Sequence, residues 1–134
     1  MALLVSDLGE ARLLMYMLNG TTPPSNVKIK LYTNNLTPTE DDVLGSYTES
    51  TGTGYTFNVL TGTNWTIAST AGTTTGAHAQ CTFTYTGAEA SIYGYYVVDN
   101  AATGLLWAER FTDGPYAIPT GGGSVKITPQ IQLA

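Results

Sequence analysis

The stretch that most constrains this chain runs from Ile92 to Phe111, IYGYYVVDNAATGLLWAERF. Aromatic and β-branched residues fill 92–98, the pattern breaks over 99–104, and it resumes over 105–111. That is the signature of two strands joined by a turn. Strand periodicity places Tyr93, Tyr95 and Val97 on one face and Ile92, Gly94, Tyr96 and Val98 on the other. Both faces are largely apolar, as expected of a central strand covered on both sides. On the returning strand Leu105, Trp107, Glu109 and Phe111 share one face, and Leu106, Ala108 and Arg110 share the other.

A hairpin of this kind needs further strands beside it and layers above and below it. Val27, Ile29 and Leu31 alternate with Lys28 and Lys30, which predicts a strand with its lysines in water. Tyr55, Phe57 and Val59 alternate with Thr56 and Asn58 in a second strand, and Trp65 with Ile67 marks a short third. The run from Ala68 to Ala77 is rich in Ser, Thr and Gly and reads as an exposed loop, followed by a surface His78. Ala79, Cys81, Phe83 and Tyr85 then face inward against a ladder of threonines, the cleanest alternation in the chain. After the hairpin, Thr112–Gly123 reads as a long loop. Val125, Ile127, Pro129, Ile131 and Leu133 alternate with polar residues in a last strand that Pro129 confines to an edge or a bulge.

The only strong helix signal lies at the start. Asp7 with Glu10 three residues on makes a capping box, and a helix over 8–18 ends at Asn19-Gly20, where glycine suits the left-handed position. Leu8, Ala11, Met15 and Leu18 line one side, with Leu13, Leu14 and Met17 on others, so the helix is apolar beyond the usual stripe. Either it is wedged deeply into the fold or one face packs on a neighbouring subunit. A second, shorter helical turn is expected at Thr37-Pro38-Thr39-Glu40, with Glu40, Asp41 and Asp42 complementing its dipole. Their spacing matches no calcium loop. Tyr47–Thr53 reads as polar and turn-like.

At 134 residues the sequence reads as one domain, 1–134, with the helix in 1–20 and the β-sandwich in 27–134. Only 11% of residues are charged, against roughly 25% in an average soluble domain. Uncharged polar groups desolvate more cheaply than ions, so this composition suits a surface covered by partners. The formal charge is −5, and five scattered Lys and Arg residues cannot track a phosphate backbone, so nucleic-acid binding is not expected. The start lacks the basic region of a signal peptide, and no run reaches transmembrane length; no membrane association is expected. The one cysteine, Cys81, reads as a buried apolar filler.

Catalytic constellations are missing at the level of spacing. His78 and Cys81, three apart on one strand, would point to opposite faces, and Ser91 lies in no nucleophile elbow. Glu89, Asp99, Glu109 and Asp113 could supply a carboxylate pair, but cross-strand ion pairs explain them more simply. Trp107 with Tyr93 and Tyr95 could form a sugar platform, although aromatics at this period more often fill a core. The residues point to no enzyme, cofactor or metal.

Three segments go beyond the generic pattern: Leu31-Tyr32-Thr33-Asn34-Asn35-Leu36-Thr37-Pro38, then Gly94-Tyr95-Tyr96-Val97-Val98, then Leu105-Leu106-Trp107-Ala108-Glu109-Arg110-Phe111. With Ile118-Pro119, Val125–Pro129 and Ile131–Leu133 they give the chain, over nearly its full length, a pattern that resembles small virion structural proteins of tailed bacteriophages. The pattern is most like that of capsid decoration, or cement, proteins. The resemblance implies a protein made in the bacterial host cytoplasm and placed on the outer surface of the mature capsid. Its partners would be copies of itself, as a homotrimer, and the major capsid protein. A tail, baseplate or head-completion component would share the same features, and a glycan-binding module is the second alternative. Candidate contact residues are Leu14 and Met17 on the helix, the acidic Glu40, Asp41 and Asp42, and Pro115, Tyr116 and Ile118 in the late loop. The expected fold is mainly β, an antiparallel β-sandwich with one N-terminal α-helix, a jelly roll being one admissible topology.

Overall fold

The computed structural model describes residues 4–133; Met1, Ala2, Leu3 and Ala134, which the expected 1–134 domain includes, lie outside the described residues. The described residues form twelve strands and one α-helix: β1 (Leu4–Val5), α1 (Asp7–Leu18), β2 (Asn26–Tyr32), β3 (Asn58–Thr61), β4 (Trp65–Thr70) and β5 (Thr73–His78) come first. They are followed by β6 (Cys81–Tyr85), β7 (Glu89–Ile92), β8 (Gly94–Val98), β9 (Leu105–Arg110), β10 (Tyr116–Ile118), β11 (Gly123–Ile127) and β12 (Gln130–Leu133). The main sheet has the order β1-β9-β8-β2-β3, and every pairing in it is antiparallel. Facing it are a β10-β7 pair, a β11-β6 pair and a β12-β5-β4 ladder. The fold is thus the mainly β, antiparallel, sandwich-like arrangement with one helix that the alternation implies. Its facing layer is divided among three small ladders rather than built as one sheet.

The 92–111 hairpin does occupy the middle of the main sheet, and all five residues of β8 are buried. On one side Tyr95 and Val97 join Ile29, Leu31, Leu60, Phe83, Ile92, Trp107 and Val125 in the large core between the layers. On the other, Tyr96 and Val98 pack with Tyr32, Tyr47, Leu105 and Ala108 under the 33–50 segment. Tyr47 stacks on Tyr96 and meets Tyr32 edge-on at centroid distances of 5.0 and 5.1 Å. The stretch read as merely polar and turn-like therefore supplies a lid for the second core.

Two faces differ from strict alternation, each for a local reason. Ile92 belongs to β7, which pairs with β10, so the chain has turned before β8 begins and Ile92 enters the large core. In β9 the register slips between Val97↔Trp107 and Val98↔Leu105, a bulge that leaves Leu106 as the extra residue. Leu105 thereby moves to the face of Ala108, while Leu106 and Trp107 both serve the large core.

Several expectations for the polar stretches are corrected. The short strand read at Trp65 and Ile67 is the start of β4, and the Ala68–Ala77 run read as a Ser/Thr/Gly loop completes the β4–β5 hairpin, turning at Ala71 and Gly72 with φ of 50° and 83°. Two consecutive positive φ values are what a tight hairpin turn with the right twist requires. Strand β3 covers only Asn58–Thr61 and buries Leu60; of the alternating Tyr55, Phe57 and Val59, Tyr55 packs on Phe83 and Tyr85 in the core while Phe57 and Val59 are about 40% exposed. Lys30 is not free in water: its Nζ pairs with Glu49 at 2.7 Å, and both Lys28 and Lys30 lie over the Phe57 ring. Thr37–Glu40 forms no helical turn. Asp42 instead accepts hydrogen bonds from the Thr39 N–H and hydroxyl, closing a turn there, and the short 3₁₀ helix falls at Leu44–Ser46. The predicted last strand is two strands, β11 on β6 and β12 on β5, separated at the buried Pro129. The Thr112–Gly123 loop contains β10.

Candidate interface

The helix owes its position to a cap and a bulge. Ser6, one residue earlier than the predicted Asp7, is the N-cap: its hydroxyl accepts from the Gly9 N–H at 3.2 Å. The same hydroxyl donates to Leu105 O at 2.8 Å, and the Ser6 N–H donates to Leu106 O at 3.2 Å. Carbonyls freed by the β9 bulge are thus bound by the residue that starts α1. Gly9 makes the approach possible, because a Cβ built there would lie 2.0 Å from Leu106 O and 2.9 Å from Val5 Cγ1. Gly20, with φ of 65°, ends the turn after the helix as expected.

Gly9 is the only buried residue of α1, so the helix is docked on the sheet and not wedged into it. Leu13, Leu14 and Met15 are 47, 57 and 39% exposed, and Met17 and Leu18 are more than three-quarters exposed. Relative to the inward Gly9, the 100° helical step carries Leu14 and Leu18 to the far side and Met17 to a flank. Of these, Leu14 and Met17 were read from the sequence. Leu18 was assigned to the same face as Leu8, Ala11 and Met15, and no periodicity in so uniformly apolar a segment could have ranked it.

Beside the helix is an apolar cavity of about 290 Å³. Leu13 and Tyr16 line its helix side, Pro23, Pro24 and Val27 its rim, and Trp65, Leu106, Trp107, Ile131 and Leu133 its floor and far wall. Beyond Leu133 the apolar surface continues to Ile67 on β4; these two side chains are 60 and 68% exposed. Neither stood out in the sequence, because inward and outward apolar residues look alike in a short strand exposed on both sides. Trp107 is buried and meets Trp65 in a T-shaped contact, and its Nε1 has no hydrogen-bond partner among the described residues. With Tyr95 also buried, the Trp107–Tyr93–Tyr95 sugar platform is not formed.

The other sequence-derived candidates have separate fates. Glu40 and Asp41 are exposed, and the Glu40 carbonyl accepts from the Asp7 N–H, tying the acidic turn to the start of α1. Asp42 is occupied within the chain by Thr39 and by the Tyr47 hydroxyl at 2.8 Å. Pro115 is exposed after a cis Gly114–Pro115 bond; Tyr116 is half-buried against Phe111, its hydroxyl donating to Asp113. Ile118 is buried in the large core and has no side-chain surface to offer a partner. The helix and the late loop are described by different contacts: α1 packs on β9, whereas Tyr116–Ile118 pairs with β7.

The groups considered for catalysis are committed to the fold. His78 is buried, with Nδ1 2.7 Å from Ala79 O, and Cys81 Sγ lies 3.8 Å from the same nitrogen. The interruption between β5 and β6 at 79–80 brings together two side chains that one continuous strand would have separated. Burial pushes the Cys81 thiol upward, the opposite of what an activated thiolate needs. Glu89 Oε2 accepts from the Ser50 hydroxyl at 2.7 Å and the Gly52 N–H at 2.9 Å, and Glu109 accepts from the Tyr95 hydroxyl at 2.7 Å. Arg110 donates to Leu36 O and Asn35 Oδ1 and covers the Tyr93 ring. The carboxylates that suggested cross-strand ion pairs are therefore held mainly by hydroxyls and backbone N–H groups. Among the described residues no group of three or more His, Cys, Asp or Glu side chains is placed to hold a metal, and no helix is long and apolar enough to cross a membrane. No protein-family model, curated protein or solved structure matches the chain.

Proposed function

We propose that this chain is a non-enzymatic structural protein of a tailed-phage virion, a decoration protein bound to the outer surface of the mature head as a homotrimer. The observation that carries the reading is the outer face of α1. A rigidly docked helix showing Leu14, Met17 and Leu18 to solvent is costly for a chain that works alone. The same face suits a subunit that works covered. Low charge supports the reading, because an assembly surface of Thr, Asn and Gly desolvates cheaply on contact with neighbours. A trimer held across several capsomers would gain avidity, each added contact to the major capsid protein being intramolecular. Exposed Glu40 and Asp41 and the exposed Pro115 are the groups we assign to contact with the capsid.

Separating the heads and tails of the source particle on a density gradient and probing each fraction for this chain tests the proposal. Many copies per head are expected. Presence on tails alone would move the protein to the tail or baseplate, and absence from both would overturn the virion reading.

A further inference from the structure

We infer that the cavity beside α1 is one half of a self-association contact, and that its occupant is the outer face of α1, Leu14, Met17 and Leu18, from a second copy of this chain. The inference deepens the homo-oligomer part of the proposed function by naming the surfaces that meet.

Three observations select a second copy as the occupant. The first is area. Leu13, Leu14, Met15, Met17 and Leu18, with Leu133 and Ile67 across the cavity, are each 39 to 78% exposed. Together they leave roughly 800 Å² of apolar surface open, about what each partner contributes to a stable interface and above what a monomer usually shows.

The second is shape. Projecting side chains and a hole lie close together: Leu14 and Met17 stand on the same helix as Leu13 and Tyr16, which line the cavity with Val27, Trp107, Ile131 and Leu133. A knob on one copy that enters the receptacle of the next makes a head-to-tail contact, the kind that closes into a ring such as the proposed trimer.

The third is charge. The whole chain is at −5, so two copies repel unless they meet where neither is charged. No Asp, Glu, Lys or Arg occurs between Leu13 and Val27, from Gly62 to Gln80, or from Thr128 to Leu133. Those three segments supply Leu14, Met17, Leu18, Ile67 and Leu133 and most of the cavity wall. The one charged residue lining the cavity, Arg12, lies 3.8 Å from Asp99 of its own chain, so an acidic or basic partner would find little complementary there, whereas a second copy meets no cluster of like charge.

The test uses the full-length chain and two single variants in analytical ultracentrifugation. Met17→Glu damages the knob and keeps the hole; Leu133→Glu damages the hole and keeps the knob. Both sites are at least 60% exposed, so each variant should retain the wild-type far-UV spectrum and melt cooperatively as a folded monomer. The wild type should sediment as an oligomer at micromolar concentration, and each variant alone as a monomer. An equimolar mixture should form a heterodimer, because the intact knob of Leu133→Glu still fits the intact hole of Met17→Glu. A monomeric wild type, an oligomeric Met17→Glu, or a mixture that stays monomeric would each overturn the inference. A monomer found nonetheless on heads would refute this contact and leave the virion reading standing. A knob-dependent oligomer absent from particles would do the reverse.

Discussion

Replacing Gly9 by Ala tests how α1 is held, and its magnitude can be worked from the contacts. The added methyl would lie 2.0 Å from Leu106 O, 2.9 Å from Leu106 C and 2.9 Å from Val5 Cγ1. Two of the three obstacles are backbone atoms, and Leu106 O is further fixed by the Ser6 N–H. The sheet cannot yield, so the helix must lift. Overpacking costs about 1–3 kcal/mol, and a backbone obstacle places this case in the upper part of that range, about 2–3 kcal/mol. Alanine's better helix propensity offsets about 1 kcal/mol of that. The net expectation is a destabilisation of about 1–2 kcal/mol, which for a domain of this size lowers Tm by roughly 3–8 °C. Lifting α1 also opens the wall formed by Leu13 and Tyr16 over Trp107, so the tryptophan emission should shift to the red. Circular dichroism melts and fluorescence on the same samples read both effects. Gly45→Ala, where nothing lies within 4 Å of the new methyl, should change stability by no more than about 0.5 kcal/mol. An unchanged Tm and an unshifted emission in Gly9→Ala would refute the docking of α1 on the β9 bulge.

Other parts of the molecule yield equally specific expectations. Glu89→Ala strands the Gly52 N–H and leaves the buried Ser50 hydroxyl only the Tyr85 hydroxyl as partner, and should lower stability by about 1–3 kcal/mol in a urea titration, with Glu89→Gln milder. Burial works against ionisation of Asp99, but hydrogen bonds from the Thr103 N–H and hydroxyl, together with Arg12 3.8 Å away, outweigh it and lower its pKa. Its contribution is present above the unfolded value near 4 and lost as pH falls through the lower folded value, so Asp99→Asn should flatten the acid limb of stability against pH. Burial raises the Tyr32 phenol to about 12, and Tyr47, Tyr55, Tyr95 and Tyr96 are raised as well. That stability is complete below pH 10 and lost above it, so tyrosinate absorbance from these residues should appear together with alkaline unfolding, not before it. Ala71→Asn puts an Asn-Gly pair at the positive-φ turn of β4–β5 and should stabilise by up to about 1 kcal/mol, read as a raised Tm.

What was legible in the sequence was whatever burial enforced on both sides. The β8–β9 hairpin could be read because Tyr95, Tyr96, Val97 and Val98 leave no polar face, and β6 because Cys81, Phe83 and Tyr85 alternate cleanly with threonine. Only the start of the β4–β5 hairpin, Trp65 and Ile67, was legible; the rest escaped because 68–77 are Ala, Ser, Thr and Gly and the turn is Ala-Gly in place of Asn-Gly. Only pairing makes such a segment a strand. The face of Leu105 depended on a one-residue bulge, which period-2 reasoning cannot contain. Of the candidate contacts, Leu14 and Met17 were picked out by sheer apolarity and are exposed, while Ile118 is buried, because a three-residue strand inside a Gly/Pro-rich loop gives no periodic signal. The cavity wall combines positions as far apart as Leu13, Val27, Trp107 and Leu133, and its existence follows from topology alone.

The most direct test of the central claim is to incubate the purified, labelled chain with mature heads from the same phage that have been stripped of accessory proteins, and to measure what co-sediments. The account predicts saturable binding in whole multiples of three copies per site, abolished or sharply weakened by Met17→Glu. Heads that bind no chain at saturating concentration, while the chain itself remains folded, would contradict it.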